Sequence, residues 1–154
     1  MATRIKPAPK DLYEEDFYVW TERQAELLRA RRFADLDLDN LIQEVLELGE
    51  AVRRSMRSRV RTIIEHLLKL QYSPSADARP GWREMVRAQR DDLADDLTPV
   101  VRRLLEEELE ALYAQARKRA EGSLRDHGEQ AVADALPGTC PYSLDRITGD
   151  WLPE

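Results

Sequence analysis

The amino-acid sequence predicts an all-α protein, a four-helix-bundle-like domain with one long central helix and a short helical C-terminal tail. Apolar residues recur in steps of three and four along four stretches of the chain, which is the period of an α-helix. Short connections join these stretches. Charged residues make up 35% of the chain and hydrophobic residues 42%, a balance typical of amphipathic helices that pack together and expose charged outer faces.

The length of 154 residues predicts one folded domain over residues 11–154, preceded by a flexible N-terminal tail of residues 1–10. The opening MATRIKPAPK lacks the apolar core of a signal peptide, and no apolar run approaches the roughly 20 residues of a membrane span. The one cysteine, Cys140, cannot form an internal disulfide, which is typical of a reducing compartment. We therefore expect a cytoplasmic protein with no membrane partner.

The first helical stretch begins at a capping box formed by Asp11 and Glu14. Its aromatic and aliphatic residues recur at helical spacing and include Tyr13, Phe17, Trp20, Leu27 and Leu28. This pattern predicts one helix, or two short stacked helices, over about residues 11–32. A turn rich in capping residues follows at residues 35–40.

The second stretch carries the strongest helical pattern of the chain. Its stripe consists of Leu38, Ile42, Val45, Gly49, Val52, Met56, Val60, Ile63, Leu67 and Leu70. We predict one continuous helix of about 34 residues, about 50 Å long, that ends at Tyr72 before Pro74 and whose stripe is sealed by neighbouring helices. Because it is too long for the third helix alone, either the fourth helix or a second copy must cover the rest. Gly49 could mark a kink or a close helix crossing.

The remaining chain predicts a loop, two further helices and a helical tail. Residues 73–81 are rich in proline, glycine and serine, and a third helix follows with Trp82, Val86, Gln89, Leu93 and Leu97. Thr98 and Pro99 are a suitable start for a fourth helix that ends at Gly122. The tail predicts short helices at residues 129–135 and 143–147. Trp151 and Leu152 are expected to anchor the C-terminus.

Motifs of ordinary enzymes and metal sites are absent from the sequence. The two histidines, His66 and His127, lack a glutamate three residues earlier, and no paired cysteine motif or glycine-rich phosphate loop occurs. Carboxylates at the start of the second helix could hold Mg²⁺, but helix capping explains them more simply; they are Asp35, Asp37, Asp39 and Glu44. We therefore predict no catalytic residue, no metal and no cofactor, and treat the three tryptophans as core anchors.

His66 and Lys69 are candidate binding residues because they lie three positions apart, on one face of the second helix. Such a pair could bind an anion or move a proton. Together with Arg90 it would form a small-molecule or anion site, provided that the second and third helices face each other. The simpler interpretation, which we favour, is a half-buried histidine that hydrogen-bonds within the fold.

The most unusual local feature is basic. Residues 51–64 contain five arginines and no acid, and Arg53, Arg57 and Arg61 are spaced by four, so they form a stripe along one helix face. Guanidinium groups in such a row suit phosphate oxygens and predict nucleic-acid binding. The alternative, which we favour, is internal or intersubunit pairing with residues 91–110, because that segment contains eight acids and only two arginines.

Several segments resemble a known bacterial family. They are Asp11–Tyr13, Asp16–Trp20, Gln24-Ala25, Leu27–Arg29, residues 37–49, His66–Lys69, Gln71-Tyr72, Trp82, Gln89-Arg90, Tyr113, Ala116-Arg117, Cys140–Tyr142 and Leu152-Pro153. This resemblance is to domain of unknown function 29, and it runs in order from about residue 11 to the end. The family implies a helical fold and no established activity.

The resemblance adds candidate positions and shows two departures. Its motif positions are Asp11, Trp20, Glu44, His66, Lys69, Trp82, Arg90 and Arg117. Gln43 and Val45 flank Glu44 where the family often has further acids, and Leu70 stands where a tryptophan is common. The first departure weakens Glu44 as part of a shared acidic site, and the second is a packing substitution.

These observations predict a non-enzymatic helical module for protein–protein interaction. The expected partner is a second copy of the chain, as a homodimer, or another protein. Two alternatives remain open. One is a nucleic-acid-associated regulator that uses Arg53, Arg57 and Arg61, and the other is small-molecule or anion binding near His66 and Lys69.

Overall fold

The computed structural model describes residues 12–154, which form eight α-helices and one 3₁₀-helix and contain no strand. The all-α class and the long central helix are thereby confirmed. The predicted tail, residues 1–10, and Asp11 of the predicted capping box lie outside the described residues. Within residues 12–154, no helix combines the length and the apolar character needed to cross a membrane.

The chain divides into two compact units. The first ends at Val52, and the second spans Arg53–Glu154. One helix, α3 (Leu38–Tyr72), contributes residues to both units. The single domain expected for residues 11–154 stays a prediction, and each unit is described by itself below.

The first unit contains α1 (Leu12–Glu15), α2 (Phe17–Arg29), a 3₁₀-helix (Phe33–Asp35) and the start of α3. Of the two alternatives for the first stretch, the structure has the two short helices. They are separate because Asp16 leaves the helical conformation and caps α2, its carboxylate accepting a hydrogen bond from the Val19 amide at 3.0 Å. After α2, Arg31 adopts a left-handed conformation with φ 54° and turns the chain away from the helix.

Hydrogen bonds hold α1 and α2 against the start of α3. The Tyr13 hydroxyl donates to Glu44 at 2.6 Å, and the Trp20 indole donates to Asp37 at 3.0 Å. The Asp37 amide donates to the buried Gln24 side chain at 2.9 Å. Tyr13 pairs with the later residue Glu44, and Trp20 pairs with the earlier residue Asp37. The segment of α1 and α2 therefore runs antiparallel to the start of α3, as in a helical hairpin.

The apolar stripe of α3 has two different environments. In the second unit it is buried, with Val60, Ile63 and Leu67 each 0% exposed. In the first unit it is open, with Ile42 57% and Val45 63% exposed. The expectation that neighbours seal the whole stripe is therefore wrong for its first half. The hydrogen bonds of the hairpin reach Asp37, directly before α3, and Glu44 on α3, while the stripe residues of this half stay exposed. Gly49 does not interrupt the helix.

The second unit is built around the buried half of α3. It adds α4 (Arg79–Ala94), α5 (Pro99–Glu107), α6 (Leu109–Asp126), α7 (Gln130–Asp134) and α8 (Leu144–Thr148). Their buried side chains form one core with α3, and they include Val86, Leu93, Leu105, Leu112, Tyr113, Ala116, Ala120, Leu124, Ala133, Leu144 and Ile147. Trp151 and Leu152 pack against this core, as predicted.

The predicted fourth helix differs from the structure in two respects, its continuity and its end. Thr98 caps its start, as predicted, with its side chain accepting from the Val101 amide. The helix then breaks at Glu108, which separates α5 from α6. Gly122 does not end it, because α6 continues to Asp126 and the left-handed residue that follows is Gly128, at φ 79°. The third helix likewise starts earlier than predicted, at Arg79, and ends before Leu97.

Two glycine substitutions should have opposite effects on stability. A Cβ at Gly122 would meet no atom within 4 Å, so Gly122→Ala should raise the free energy of unfolding by about 1 kcal/mol through helix propensity. Gly128→Ala places a side chain at φ 79° and should lower it by about 1 kcal/mol. Urea unfolding followed by circular dichroism measures both, and a change of the same sign in the two variants would contradict the conformations assigned to these glycines.

Candidate functional site

The strongest charge arrangement in the second unit joins the arginine stripe of α3 to Glu108. The Arg57 guanidinium donates to both carboxylate oxygens of Glu108, from Nε at 2.6 Å and from Nη2 at 2.7 Å. Arg53 donates to the same carboxylate. The residue at the α5–α6 junction is therefore fixed to α3 by two arginines, one of them bidentate.

These arginines hold Glu108 in its ionised form. The hydrogen bonds from Arg57, followed by those from Arg53, lower the pKa of the Glu108 carboxyl from 4.5 to about 2, although burial acts in the opposite direction. Glu108 therefore stays negatively charged throughout the physiological pH range and offsets the positive charge of the two neighbouring guanidinium groups.

Arg61 has a different environment from the other two members of the stripe. Its Nη1 donates to the Gln115 side-chain carbonyl at 2.6 Å. Among the residues that the structure describes, no carboxylate pairs with Arg61, and its Nε is buried without a hydrogen-bond partner. Burial, then the positive charges of Arg119 and Arg57, lower the pKa of its guanidinium. Arg61 is thus a partly desolvated cation whose described neighbours include two further cations.

These side chains line an open cleft of about 550 Å³. The α3 wall carries three arginines, and the facing wall is one side of α6 and its junction with α5. The lining residues are Arg54, Arg57, Arg61, Glu108, Ala111, Leu112 and Gln115. With three guanidinium groups against one carboxylate, the cleft is positively charged in an acidic protein.

Two of the three stripe residues make the ion pairs with acids that we favoured, whereas Arg61 makes none with a described residue. Arg53 and Arg57 pair with Glu108, and Arg59 pairs with Asp92 at 2.6 Å. Both carboxylates belong to the acidic region predicted to meet the stripe. The sequence analysis did not identify Gln115 as a partner for Arg61. Gln115 lies seven residues after Glu108, and this spacing, which places both on one face of a helix, was the feature of the sequence that pointed to it.

His66 and Lys69 make local contacts on α3. The His66 ring Nδ1 lies 2.8 Å from the Thr62 carbonyl oxygen, and burial lowers the pKa of the imidazole. The buried Lys69 ammonium donates to Glu65 at 3.1 Å and lies 5.5 Å from the centre of the Trp82 ring. The α3 face that carries Lys69 borders a small cavity of about 90 Å³, which His127 and Glu129 also line.

Arg90 lies in a separate part of the second unit and holds the C-terminal segment. Its buried guanidinium donates to three backbone carbonyls, those of Ile147 at 2.9 Å, Arg146 at 2.7 Å and Trp151 at 2.8 Å. The planar fork of arginine suits several carbonyl acceptors at once. His66 and Lys69 therefore do not share their hydrogen-bond partners with Arg90.

Three of the four carboxylates considered for Mg²⁺ have described partners in the first unit. Glu44 accepts from Tyr13, Asp35 pairs with Arg32 at 2.6 Å, and Asp37 accepts from Trp20 and from Asn40. Within residues 12–154, no group of three or more histidine, cysteine, aspartate or glutamate side chains is placed to hold a metal ion.

Other residues named by the resemblance make framework contacts. The buried Tyr113 hydroxyl donates to the Pro137 carbonyl, and burial raises the pKa of Tyr113 to about 12. The Tyr142 hydroxyl donates to Gln71 at 2.8 Å. Burial also raises the pKa of the Cys140 thiol, which keeps it protonated and poorly reactive. Arg117 pairs with Glu121 one turn along α6.

The Arg90 hydrogen bonds predict a measurable role in stability. Arg90→Lys keeps the charge but cannot reach three carbonyls, so the free energy of unfolding should fall by about 3 kcal/mol, with faster hydrogen exchange at residues 144–152. The exposed Arg87, on the same helix, provides the control: Arg87→Lys should change it by less than about 0.5 kcal/mol. Equal losses in both variants would contradict the role assigned to Arg90.

The depressed pKa of Glu108 predicts a pH dependence. A carboxyl whose pKa falls from 4.5 to about 2 on folding stabilises the protein above pH 4.5 and loses that contribution as the pH falls through 2. Glu108→Gln should therefore cost about 2 kcal/mol at neutral pH and almost nothing near pH 2, as measured by urea unfolding. The exposed Glu106→Gln serves as control. A Glu108→Gln cost that is independent of pH would refute the ion-pair assignment.

Comparison with known proteins gives one match. No curated protein matches the chain, and no solved structure matches it. A family model described as Domain of unknown function DUF29 matches residues 12–152, which cover most of both compact units and all the residues that line the arginine cleft. The resemblance seen in the sequence is thereby confirmed, and the chain belongs to the family of Domain of unknown function DUF29.

Proposed function

We propose that the protein is a non-enzymatic interaction module that forms a homodimer through the open half of the α3 stripe. The observation that carries the proposal is the distribution of exposed hydrophobic residues. Of the thirteen large ones among the described residues, eleven lie before Arg53, and only Met85 and Val100 lie in the second unit. The larger unit buries its apolar residues, whereas the smaller one presents them to its surroundings.

The open face is continuous along the helix. Leu38, Ile42, Val45, Gly49 and Val52 follow the steps of three and four that place residues on one side, and the four apolar side chains are each at least 50% exposed. Leu46 and Leu48 widen the face on either flank and are also exposed. The opposite side is polar and contains Asp39, Gln43, Glu47 and Glu50.

The exposed area suits a stable interface. Six aliphatic side chains of this length that are half or more exposed present on the order of 600 Å² of apolar surface. A soluble monomer rarely leaves more than about 300–600 Å² of apolar surface in one patch. The open stripe of α3 is therefore at the upper end of this range, and Phe17 and Leu28 of α2 are exposed as well.

A second copy of the chain is the occupant that this geometry favours. The first unit is an antiparallel helical hairpin with one apolar side open, which is half of a four-helix bundle. A two-fold axis would bring the same face of another hairpin onto it, so that both open stripes are buried at once. Alternating steps of three and four are also the spacing of coiled-coil packing.

The contacts of the residues singled out in the sequence support a non-enzymatic role. His66 and Lys69 hydrogen-bond within α3, whereas Arg90 binds the C-terminal segment and Glu44 binds Tyr13 of α1. The ion pairs of Arg53 and Arg57 with Glu108 weigh against a phosphate-binding stripe for nucleic acid, which stays an alternative. The single, poorly reactive cysteine supports a reducing compartment, which we propose to be the cytoplasm.

Two single substitutions on α3 test the dimer, one in the open stripe and one on the polar side of the same helix. Val45→Glu puts a carboxylate in the centre of the open stripe, and we expect it to convert a dimer of about twice 17.8 kDa into a monomer. Gln43→Glu adds the same charge to the polar side and should leave the dimer intact. Size-exclusion chromatography with light scattering measures the mass, and circular dichroism checks that helix content is retained.

Two results would contradict the proposal. One is a wild-type protein that stays monomeric at high concentration, which would indicate that the open stripe binds a different protein. The other is a dimer that survives Val45→Glu, which would place the contact between copies elsewhere.

A further inference from the structure

The cleft between α3 and α6 concentrates positive charge on an acidic protein. The chain carries a net charge of −6, yet three of the seven cleft residues are arginines and one is a carboxylate. That carboxylate, Glu108, already accepts hydrogen bonds from Arg53 and Arg57. The positive charge of Arg61 is therefore left without an anionic partner among the described residues.

The environment of Arg61 disfavours its positive charge unless an anion is bound. Its guanidinium is partly withdrawn from water, its Nε has no hydrogen-bond partner, and the positive groups of Arg57 and Arg119 act on it. Its one described partner is the neutral side chain of Gln115. An oxyanion in the cleft would give the guanidinium both a counter-charge and acceptor oxygens.

We propose that this cleft binds a small molecule bearing an oxyanion of the phosphate class, with Arg61 as its principal anchor. The Gln115 side-chain carbonyl accepts from Arg61, and its amide N–H₂ is a further donor among the residues that line the cleft. Ala111 and Leu112 supply a short apolar wall for the part of the ligand that carries the oxyanion. A volume of about 550 Å³ falls within the range of small-molecule sites.

The arrangement favours a small oxyanion over a nucleic-acid polymer. A polymer needs positive charge spread along the helix so that successive phosphates are contacted. Here Arg53 and Arg59, which do not line the cleft, are paired with Glu108 and Asp92. The positive charge without a described carboxylate partner is thus concentrated around Arg61.

Pyrophosphate is a suitable probe, because it carries the proposed chemistry and fits the volume. Isothermal titration of the full chain should show saturable binding with a Kd of about 1 mM or tighter, and Arg61→Gln should weaken it about tenfold. The matched control is Arg59→Gln, which removes a charge from the same helix outside the cleft lining and should change the Kd less than about twofold. Circular dichroism confirms that each variant is folded.

A second variant tests the charge of the cleft in the opposite direction. Glu108→Gln removes the carboxylate that competes for Arg57, so pyrophosphate should bind several-fold more tightly if the variant is folded. Val45→Glu should leave the affinity unchanged, because the cleft lies wholly in the second unit. This separates the inference from the proposed dimer.

Three outcomes would overturn the inference. They are no pyrophosphate binding at millimolar concentration, equal loss of affinity in Arg61→Gln and Arg59→Gln, and binding of duplex DNA by a protein that does not bind pyrophosphate. The second would indicate a general charge effect, and the third would indicate a polymer surface in place of a small-oxyanion cleft.

Discussion

Burial of the second half of α3 is the constraint on which the second unit depends. Val60, Ile63, Ile64, Leu67 and Leu68 are fully buried. Burying a side chain of this size stabilises a protein by about 1.5–3 kcal/mol, so this segment is a large part of the favourable free energy of the unit. Residues from α4 to α8 complete the same core. The stripe itself continues without change of period into the first unit, where only the hairpin edge is available to it, and there it stays open.

Ion pairs join the surface of α3 to the neighbouring helices around this buried segment. Arginines on α3 meet carboxylates of α4 and of the α5–α6 junction, and Glu108 is held in its ionised form by two of them. Exposed pairs of this kind contribute little individually, but they select which helix faces which. The same arrangement leaves Arg61 next to Gln115 in a cleft where positive charge exceeds negative charge. Helix pairing and a candidate ligand site thus arise from one set of residues.

Several residues in the segments that resemble the family act as a folding framework. Trp20 ties α2 to Asp37, Arg90 binds three carbonyls of the C-terminal segment, and Tyr142 donates to Gln71. Each of these bonds joins positions that are distant in sequence and satisfies a polar group at or near the core. These polar and aromatic side chains therefore pair donors and acceptors between separate segments of the fold.

The sequence by itself determined the features that depend on neighbours within about one helical turn. The period of α3, its end before Pro74 and the Thr98 cap follow from backbone and side-chain preferences of residues close together in the chain. Only the tertiary structure decided which half of the α3 stripe is covered, where the fourth helix breaks and that Arg61 faces Gln115. Glu108 carries no glycine or proline signal, and its position depends on arginines about fifty residues earlier. Burial and charge pairing are properties of distant segments brought together, and helical periodicity records which face is apolar but not what covers it.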